Sequence, residues 1–193
     1  MSLEIIKKLR AQTGAAMNDV KKAFDESGGD IEKAKEILRK RGAKLAAKKQ
    51  DREASEGLVH SYIHPPGKIG AMVKIACETD FVARNEDFKS LAHDIAKQIA
   101  AMSPLYLKPE DVPDTEVEKE KEIHKEVLLK EGKPEDMIEK ILEGKLDKYY
   151  EQVCLVEQKF ILDDKKKIKD VINEAVGKLG EKIEIVDFVR YEL

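Results

Sequence analysis

Cysteine is scarce in this sequence, which contains two, Cys77 and Cys154. Two thiols are too few for the disulfide framework of a small secreted domain, and with four scattered histidines they do not make a zinc-binding pattern. Cys77 falls in an alternating apolar run. We therefore expect a buried, unreactive thiol there, with a disulfide as the alternative.

Long apolar stretches are missing as well. No run approaches the roughly 18 residues of a membrane span. The N-terminal segment MSLEIIKKLR alternates apolar and charged side chains and lacks the apolar centre of a signal peptide. We expect a cytoplasmic protein that has no membrane partner.

Patterns typical of catalytic sites are also absent from the sequence. It has no GxxxxGK(S/T) or GxGxxG phosphate loop and no GxSxG, HExxH or CxxC pattern. His60 and His64 lack an evident third metal ligand, which favours solvated histidines at a strand edge. The acidic pair Asp163 and Asp164 is more typical of a helix cap than of an acid and base. We expect no catalytic residue, no metal and no cofactor.

Charge, by contrast, is abundant: 39 % of the residues are charged and the formal net charge is −3. Charge of both signs indicates solvated helices, and a chain that is not basic overall is not expected to have nucleic acid as its main partner. Basic residues concentrate between Arg39 and Glu53, where seven oppose two acidic ones. This stretch is typical of a charged linker, but it could instead touch an acidic partner surface or RNA.

Apolar residues at helical spacing predict three short helices in residues 3–41. Gly28 and Gly29 follow the second helix, Asp30 is suited to cap the third, and Gly42 is expected to end it. The prediction is a three-helix module over residues 1–42, followed by a basic linker over residues 43–57.

Residues 58–193 are expected to form an α+β core. Alternating apolar residues predict strands at 58–64, 69–77 and 183–191, with helices between the second and the third. The simplest arrangement is a three-stranded antiparallel sheet backed by helices. The last strand is apolar on both faces, which favours a homodimer in which a second copy covers the exposed face.

The segment Thr79-Asp80-Phe81-Val82 follows the second strand and precedes a helix. Its apolar residues are either core anchors that pin the helix to the sheet or a projecting wedge beside a carboxylate. Composition alone leaves both interpretations open.

Four segments of the sequence resemble translation elongation factor Ts, and together they run through nearly the whole chain in order. They are LRAQTGAAMNDVKKAF, GDIEKAKEILRKRGAKLAAKK, ETDFVARNEDF and KIEIVDFVRYEL. Longer members of that family are similar to this chain with a second copy of the core subdomain and a helical hairpin added.

The resemblance implies guanine-nucleotide exchange on elongation factor Tu, by binding and without an enzyme's covalent chemistry. It implies a ubiquitin-associated-like N-terminal module that grips the GTPase domain through Arg10, Met17 and Lys21. It also implies that the turn Thr79, Asp80, Phe81 and Val82 intrudes beside the magnesium and nucleotide site. Asn18 departs from the family pattern, in which a second methionine is often found.

Two other functions remain open on the residues alone. A plain binding module would recognise a ubiquitin-like fold or a nascent chain through residues 1–42, and Phe81 would then be buried. An RNA-associated protein would bind through Lys48, Lys49 and Arg52, and its binding would depend strongly on salt.

Overall fold

The structure, a computed structural model, describes residues 2–193 and the side chains of residues 3–134 and 137–193. Met1, the first residue of the predicted module, therefore lies outside the described residues. The chain falls into two compact units, one formed by Met1–Ala100 with Lys169–Leu193 and the other by Ala101–Ile168. The functional division predicted above is a different partition of the chain, and it stays a prediction.

Among its described residues, the larger unit has six helices, one of them a single turn, and three strands. Its helices are α1 (Ser2–Thr13), α2 (Met17–Glu26), α3 (Ile31–Lys49), α4 (Asp80–Ala83), α5 (Glu86–Met102, whose last two residues fall in the smaller unit) and α8 (Ile168–Leu179, whose first residue does so too). Its strands are β1 (Glu56–His64), β2 (Ile69–Cys77) and β5 (Ile183–Glu192).

Helices α1 to α3 pack around a small apolar core. Its buried members are Ile6, Leu9, Val20, Ala23 and Ala34. Asp30 caps α3 as predicted, since its Oδ1 accepts hydrogen bonds from the backbone N–H groups of Glu32 at 3.0 Å and Lys33 at 3.1 Å. Leu3 shares the helical spacing of Ile6 and Leu9 but is exposed at the start of α1.

The prediction that Gly42 ends the third helix is wrong, because α3 continues through it to Lys49. Gly42 is buried against α8, where a Cβ atom at this position would lie 2.9 Å from the carbonyl oxygen of Asn173. A Cβ atom on Gly177 of α8 would in turn lie 3.4 Å from the Cα of Gly42. The glycine therefore permits a close helix crossing, and part of the predicted linker is helical.

The three-stranded antiparallel sheet is confirmed. The strand order is β1-β2-β5, with β2 in the centre and antiparallel to both neighbours. Helix α5 packs on one face, where His93 contacts His60 of β1 and the carbonyl of Ala100 accepts a hydrogen bond from Arg190 of β5.

The other sheet face carries exposed apolar side chains. They are Val59, Ile63, Met72, Val186, Val189 and Tyr191. Ile63 of β1 is 62 % exposed and Tyr191 of β5 74 %, so the apolar side chains on this face of the sheet remain in contact with solvent in the single chain.

The smaller unit is built on two helices, α6 (Asp114–Lys130) and α7 (Glu135–Val153), and a short hairpin of β3 (Lys159–Phe160) and β4 (Asp163–Lys167). Single 3-10 turns lie at Pro109–Asp111 and Leu155–Glu157. Within the residues described, no helix is both long and apolar enough to cross a membrane.

One prediction fails in this unit, since Asp163 and Asp164 lie in β4 and do not cap a helix. Two local sequence signals are also not followed. Helix α7 continues through Gly144, although glycine is a typical residue at a helix end. Thr115 and Glu118 have the spacing of a capping box, but α6 begins at Asp114 and has no side-chain cap.

Glu116 of α6 contacts both α7 and the segment that precedes α6. Its carboxylate accepts hydrogen bonds from the hydroxyl groups of Tyr106 at 2.9 Å and Tyr149 at 3.2 Å. Burial, together with the Glu116 carboxylate, raises the pKa of Tyr149 to about 12. Both phenols therefore remain protonated donors at neutral pH.

Gly42 and Gly144 provide a matched pair of substitutions, since both lie inside a helix. Gly144 has open space where a Cβ would be, so we expect Gly144→Ala to raise the free energy of unfolding by about 0.5–1 kcal/mol. Gly42→Ala should lower it by about 1–3 kcal/mol, because the added methyl group meets the α8 backbone. Urea unfolding followed by circular dichroism measures both, and a Gly42→Ala protein as stable as wild type would contradict the close crossing.

Candidate functional site

The segment after β2 is a single helical turn, α4, held by its own backbone. Thr79 is extended, with φ −132° and ψ 156°, and its side-chain oxygen accepts from the N–H of Val82 at 3.5 Å. The N–H groups of Ala83 and Asn85 bond the carbonyls of Thr79 and Val82 at 3.2 and 3.0 Å. The turn therefore has a defined shape without a partner.

Phe81 and Val82 have opposite environments. Val82 is 9 % exposed on a turn that lies against β1 and β2, whereas Phe81 is 83 % exposed. Neighbouring residues of a helical turn point about 100° apart, so one can anchor the turn while the other projects. The interpretation as a core anchor thus fits Val82, and the interpretation as a projecting side chain fits Phe81.

Asp80 lies beside Phe81 and forms an ion pair with Arg84 at 3.0 Å. The Asp80 side chain is 45 % exposed and that of Arg84 80 %. An exposed pair one helical turn apart contributes little to stability, so the carboxylate is available to a partner at small cost.

Glu181, which lies two residues before the first residue of β5, holds the start of the turn. One carboxylate oxygen accepts from the Thr79 hydroxyl at 2.6 Å and the other from the Thr79 N–H at 3.0 Å. This two-point contact fixes the backbone at the residue where the strand ends and the helical turn begins.

Glu78 is bound from three directions. Its carboxylate accepts from the N–H of Lys182 at 2.6 Å, Nζ of Lys49 at 3.2 Å and the guanidinium of Arg52 at 3.0 Å. These donors, the Lys182 N–H first, lower the pKa of Glu78 from 4.5 to about 2. The group is therefore ionised at neutral pH and joins α3 and the start of β5 to the turn.

Cys77 ends β2 beneath the turn and is a free, buried thiol, as expected. Its Sγ donates a hydrogen bond to the carbonyl of Thr79 at 3.2 Å. Burial, with the carboxylate of Glu181 nearby, raises the pKa of Cys77 to about 11. The thiol is therefore protonated at neutral pH and is not a nucleophile. Cys154 is also free and buried.

The predicted gripping residues lie on the three-helix module. Arg10 and Lys21 are exposed, and Met17 is half-buried against the module core. Met17 and Lys21 are four residues apart on α2 and so share a side of that helix. Asn18 next to them is exposed. Among the described residues, no hydrogen bond or ion pair links this group to the turn.

Metal binding finds no support in the part of the chain that the structure describes, where no cluster of three or more suitable side chains exists. His60 lies on the edge strand β1, as expected, but it is half-buried and has a partner within the protein. Its Nε2 lies 3.1 Å from Nδ1 of His93, and burial followed by His93 lowers its pKa. His64 is exposed beside the hydroxyl of Tyr62 at 3.1 Å.

Comparison with known proteins identifies the family. The model of the family described as elongation factor TS matches residues 2–193. The chain is 55 % identical over 193 residues to elongation factor Ts of Thermotoga petrophila, covering all of this chain and 96 % of that protein. It is 54 % identical to elongation factor Ts of Desulforamulus reducens and 53 % identical to that of Myxococcus xanthus, covering all of this chain in each case and 89 % and 88 % of those proteins.

The chain belongs to the elongation factor Ts family. The resemblance seen in the four sequence segments is thereby confirmed, and the matches cover the full described length. The α+β fold with its three N-terminal helices is consistent with membership of this family.

Sequence reasoning missed three residues that shape the site of this elongation factor Ts family member. Arg84 carries a local signal, since it lies four residues after Asp80, the spacing of an ion pair on a helical turn. Glu181 and Glu78 carry none, because their partners are far away along the chain: Thr79 lies 102 residues from Glu181, and Lys182, Lys49 and Arg52 lie 104, 29 and 26 residues from Glu78. The pairing of β2 with β5 and the position of α3 bring them together.

The pKa of Glu78 predicts a specific acid response. Its bonds stabilise the fold fully above about pH 4.5 and are lost as the pH falls towards 2. The melting temperature of Glu78→Gln should therefore lie below that of wild type at neutral pH, and the gap should narrow through this window. Glu32→Gln, which removes an exposed carboxylate, serves as the control. A gap that does not change with pH would contradict the assignment.

Proposed function

We propose that this elongation factor Ts family member promotes release of GDP from elongation factor Tu in the cytoplasm. It acts by binding, with no covalent step, cofactor or metal of its own. The observation that carries the proposal is the exposed Phe81 on a turn that Val82, Glu181 and Glu78 hold in place.

Phe81 is proposed to act as a wedge next to the nucleotide site of the GTPase. Burying a phenylalanine side chain is worth about 1.5–3 kcal/mol, which corresponds to a shift of roughly 10- to 100-fold in an equilibrium. Because Phe81 is 83 % exposed in the free protein, most of this burial free energy can still be gained on binding a partner. It contributes to exchange only if the nucleotide-loaded partner cannot accommodate the ring.

Asp80 is proposed to act on the magnesium side of the same site. A GTPase holds its nucleotide through a magnesium ion, a phosphate loop and the switch segments. A carboxylate carried in beside Phe81 can compete for a donor there or repel the phosphate oxygens. The exposed ion pair with Arg84 would be exchanged for contacts with the partner.

The three-helix module is proposed to grip the GTPase domain through Arg10, Met17 and Lys21. These residues offer two cations and an apolar side chain. The grip supplies binding energy that is common to the loaded and empty states, whereas the turn discriminates between them. Reciprocal coupling then requires that nucleotide expels the factor by the same ratio with which the factor expels nucleotide.

The alternative functions fit the observations less well. A plain binding module predicts a buried Phe81, which is 83 % exposed. An RNA-binding linker requires free cations at Lys48, Lys49 and Arg52, but Glu78 engages the last two and Lys49 is buried.

We also propose that two copies of the chain associate through the exposed sheet face. The face carries large apolar side chains on all three strands, and Lys74 and Asp187 lie opposite each other between them. The same face of a second copy can cover it with a two-fold axis, and such isologous contacts are the commonest in homo-oligomers.

The wedge is tested by the release of a fluorescent GDP analogue from elongation factor Tu. Wild type should accelerate release, and Phe81→Ala should lose about 10- to 100-fold of the effect, since it removes the ring. Leu162→Ala, which truncates another exposed apolar residue in a turn, should match wild type. No acceleration by wild type would reject exchange, and full activity of Phe81→Ala would reject the wedge alone.

Sedimentation equilibrium tests the dimer. At micromolar concentrations wild type should show twice the 21.8 kDa of one chain. Ile63→Lys places a charge on the apolar sheet face and should give a monomer. Leu105→Lys places the same charge at an exposed apolar residue outside that face and should leave the dimer intact. A monomeric wild type would contradict the proposal.

A further inference from the structure

Helix α3 connects the two proposed partner-binding regions. Ala34 in its first half is buried in the core of the three-helix module. Lys49 at its last position contacts Glu78, the residue directly before the turn. A helix of 19 residues is about 28 Å long, so α3 bridges a considerable distance as one continuous element.

The middle of α3 is fixed to its surroundings. Arg41 forms an ion pair with Glu26 of α2 at 2.6 Å and donates to the carbonyl of Asp19 at 3.2 Å. The next residue, Gly42, lies against the carbonyl oxygen of Asn173 in α8. The helix is thus attached to the module on one side and to α8 on the other.

The far end of α3 is clamped at Glu78. The side chain of Lys49 is 9 % exposed and that of Glu78 19 %, so their contact is shielded from water. Arg52 closes the clamp from outside, and its own carbonyl accepts from Nζ of Lys182 at 3.0 Å. The start of the segment 50–55, which follows the helix, is therefore held in place through Arg52.

We infer that Glu78 is a positioning residue, an inference that rests on the proposed exchange function. Glu78 ties the turn 79–82 to the end of α3. Helix α3 then acts as a strut that sets the spacing between the three-helix module and Phe81. Glu78 itself does not touch the nucleotide or the GTPase. It acts through Thr79, which follows it, and through Lys49 and Arg52.

A preset spacing has a physical advantage for a protein that binds at two places. When the module has bound, a flexible connection would leave the turn to search for its site, and the entropy of that search would reduce the gain. A rigid strut removes most of this cost. Loosening the clamp should therefore weaken insertion of the turn more than it weakens the grip of the module.

The spacing can be measured without the partner. Spin labels at Asp25→Cys of α2 and Glu86→Cys of α5, both exposed in the wild type, report the distance between module and turn. Cys77 and Cys154 are buried with raised pKa values and should react slowly. An excess of unlabelled chain removes contacts between labelled copies. We expect a narrow distance distribution that broadens in Glu78→Gln, and equal widths would overturn the strut.

The functional consequence is tested at Arg52, which is 55 % exposed at its side chain and can be changed without emptying a core position. Arg52→Gln should lower the maximal rate of fluorescent GDP release at saturating factor by about three- to thirtyfold, since small misplacements of an acting group are costly. The concentration of factor at half-maximal rate should change less. Arg52→Lys keeps a cation and should restore most of the rate.

Three results separate the possibilities. If wild type does not accelerate release, the proposed exchange function fails, while the distance measurement still decides the strut. If wild type is active and Arg52→Gln matches it in maximal rate, the positioning role of the clamp is overturned. If Arg52→Gln and Arg52→Lys lose rate equally and only in proportion to a lowered melting temperature, the clamp stabilises the fold and does not position the turn.

Discussion

The arrangement of the candidate site depends on the Glu78 carboxylate. Burying a charge is costly unless donors surround it, and here Lys49, Arg52 and the N–H of Lys182 do so. Because these donors come from the end of α3 and the approach to β5, one carboxylate joins three chain segments at the end of the central strand. The turn that follows inherits its position from this junction and from the contact between Glu181 and Thr79.

The division of environment between Phe81 and Val82 follows from that junction. Val82 is buried and holds the turn down, while Phe81 next to it remains in water. An exposed aromatic ring on a fixed support gains energy only from a partner surface, and such a gain shifts a nucleotide equilibrium only when it differs between the loaded and empty states. The proposed exchange mechanism therefore needs a ring held in a fixed position by this chain, and it needs no reactive group.

Much of the fold could be predicted because its signals are local. Alternation identified β2 and β5, and helical spacing with Asp30 as a cap identified the module. Gly42 and Gly144 both have the local signature of a helix end, yet each lies inside a helix. Gly42 packs closely against α8, and at Gly144, which has open space around it, a single glycine costs the helix only about 1 kcal/mol. The site was only half predictable, since the motif pointed to Phe81 but its support by Glu78 and Glu181 arises from contacts with distant segments, the end of α3 and the approach to β5.

The proposed exchange function requires the factor to discriminate between two states of its partner. The most direct measurement is the dissociation constant of wild type for nucleotide-free elongation factor Tu and for the same protein saturated with GDP, obtained by isothermal titration calorimetry. We expect tighter binding to the empty form, by the same ratio with which the factor weakens GDP binding. Equal affinity for both forms would contradict it, because a ligand with no preference shifts no equilibrium.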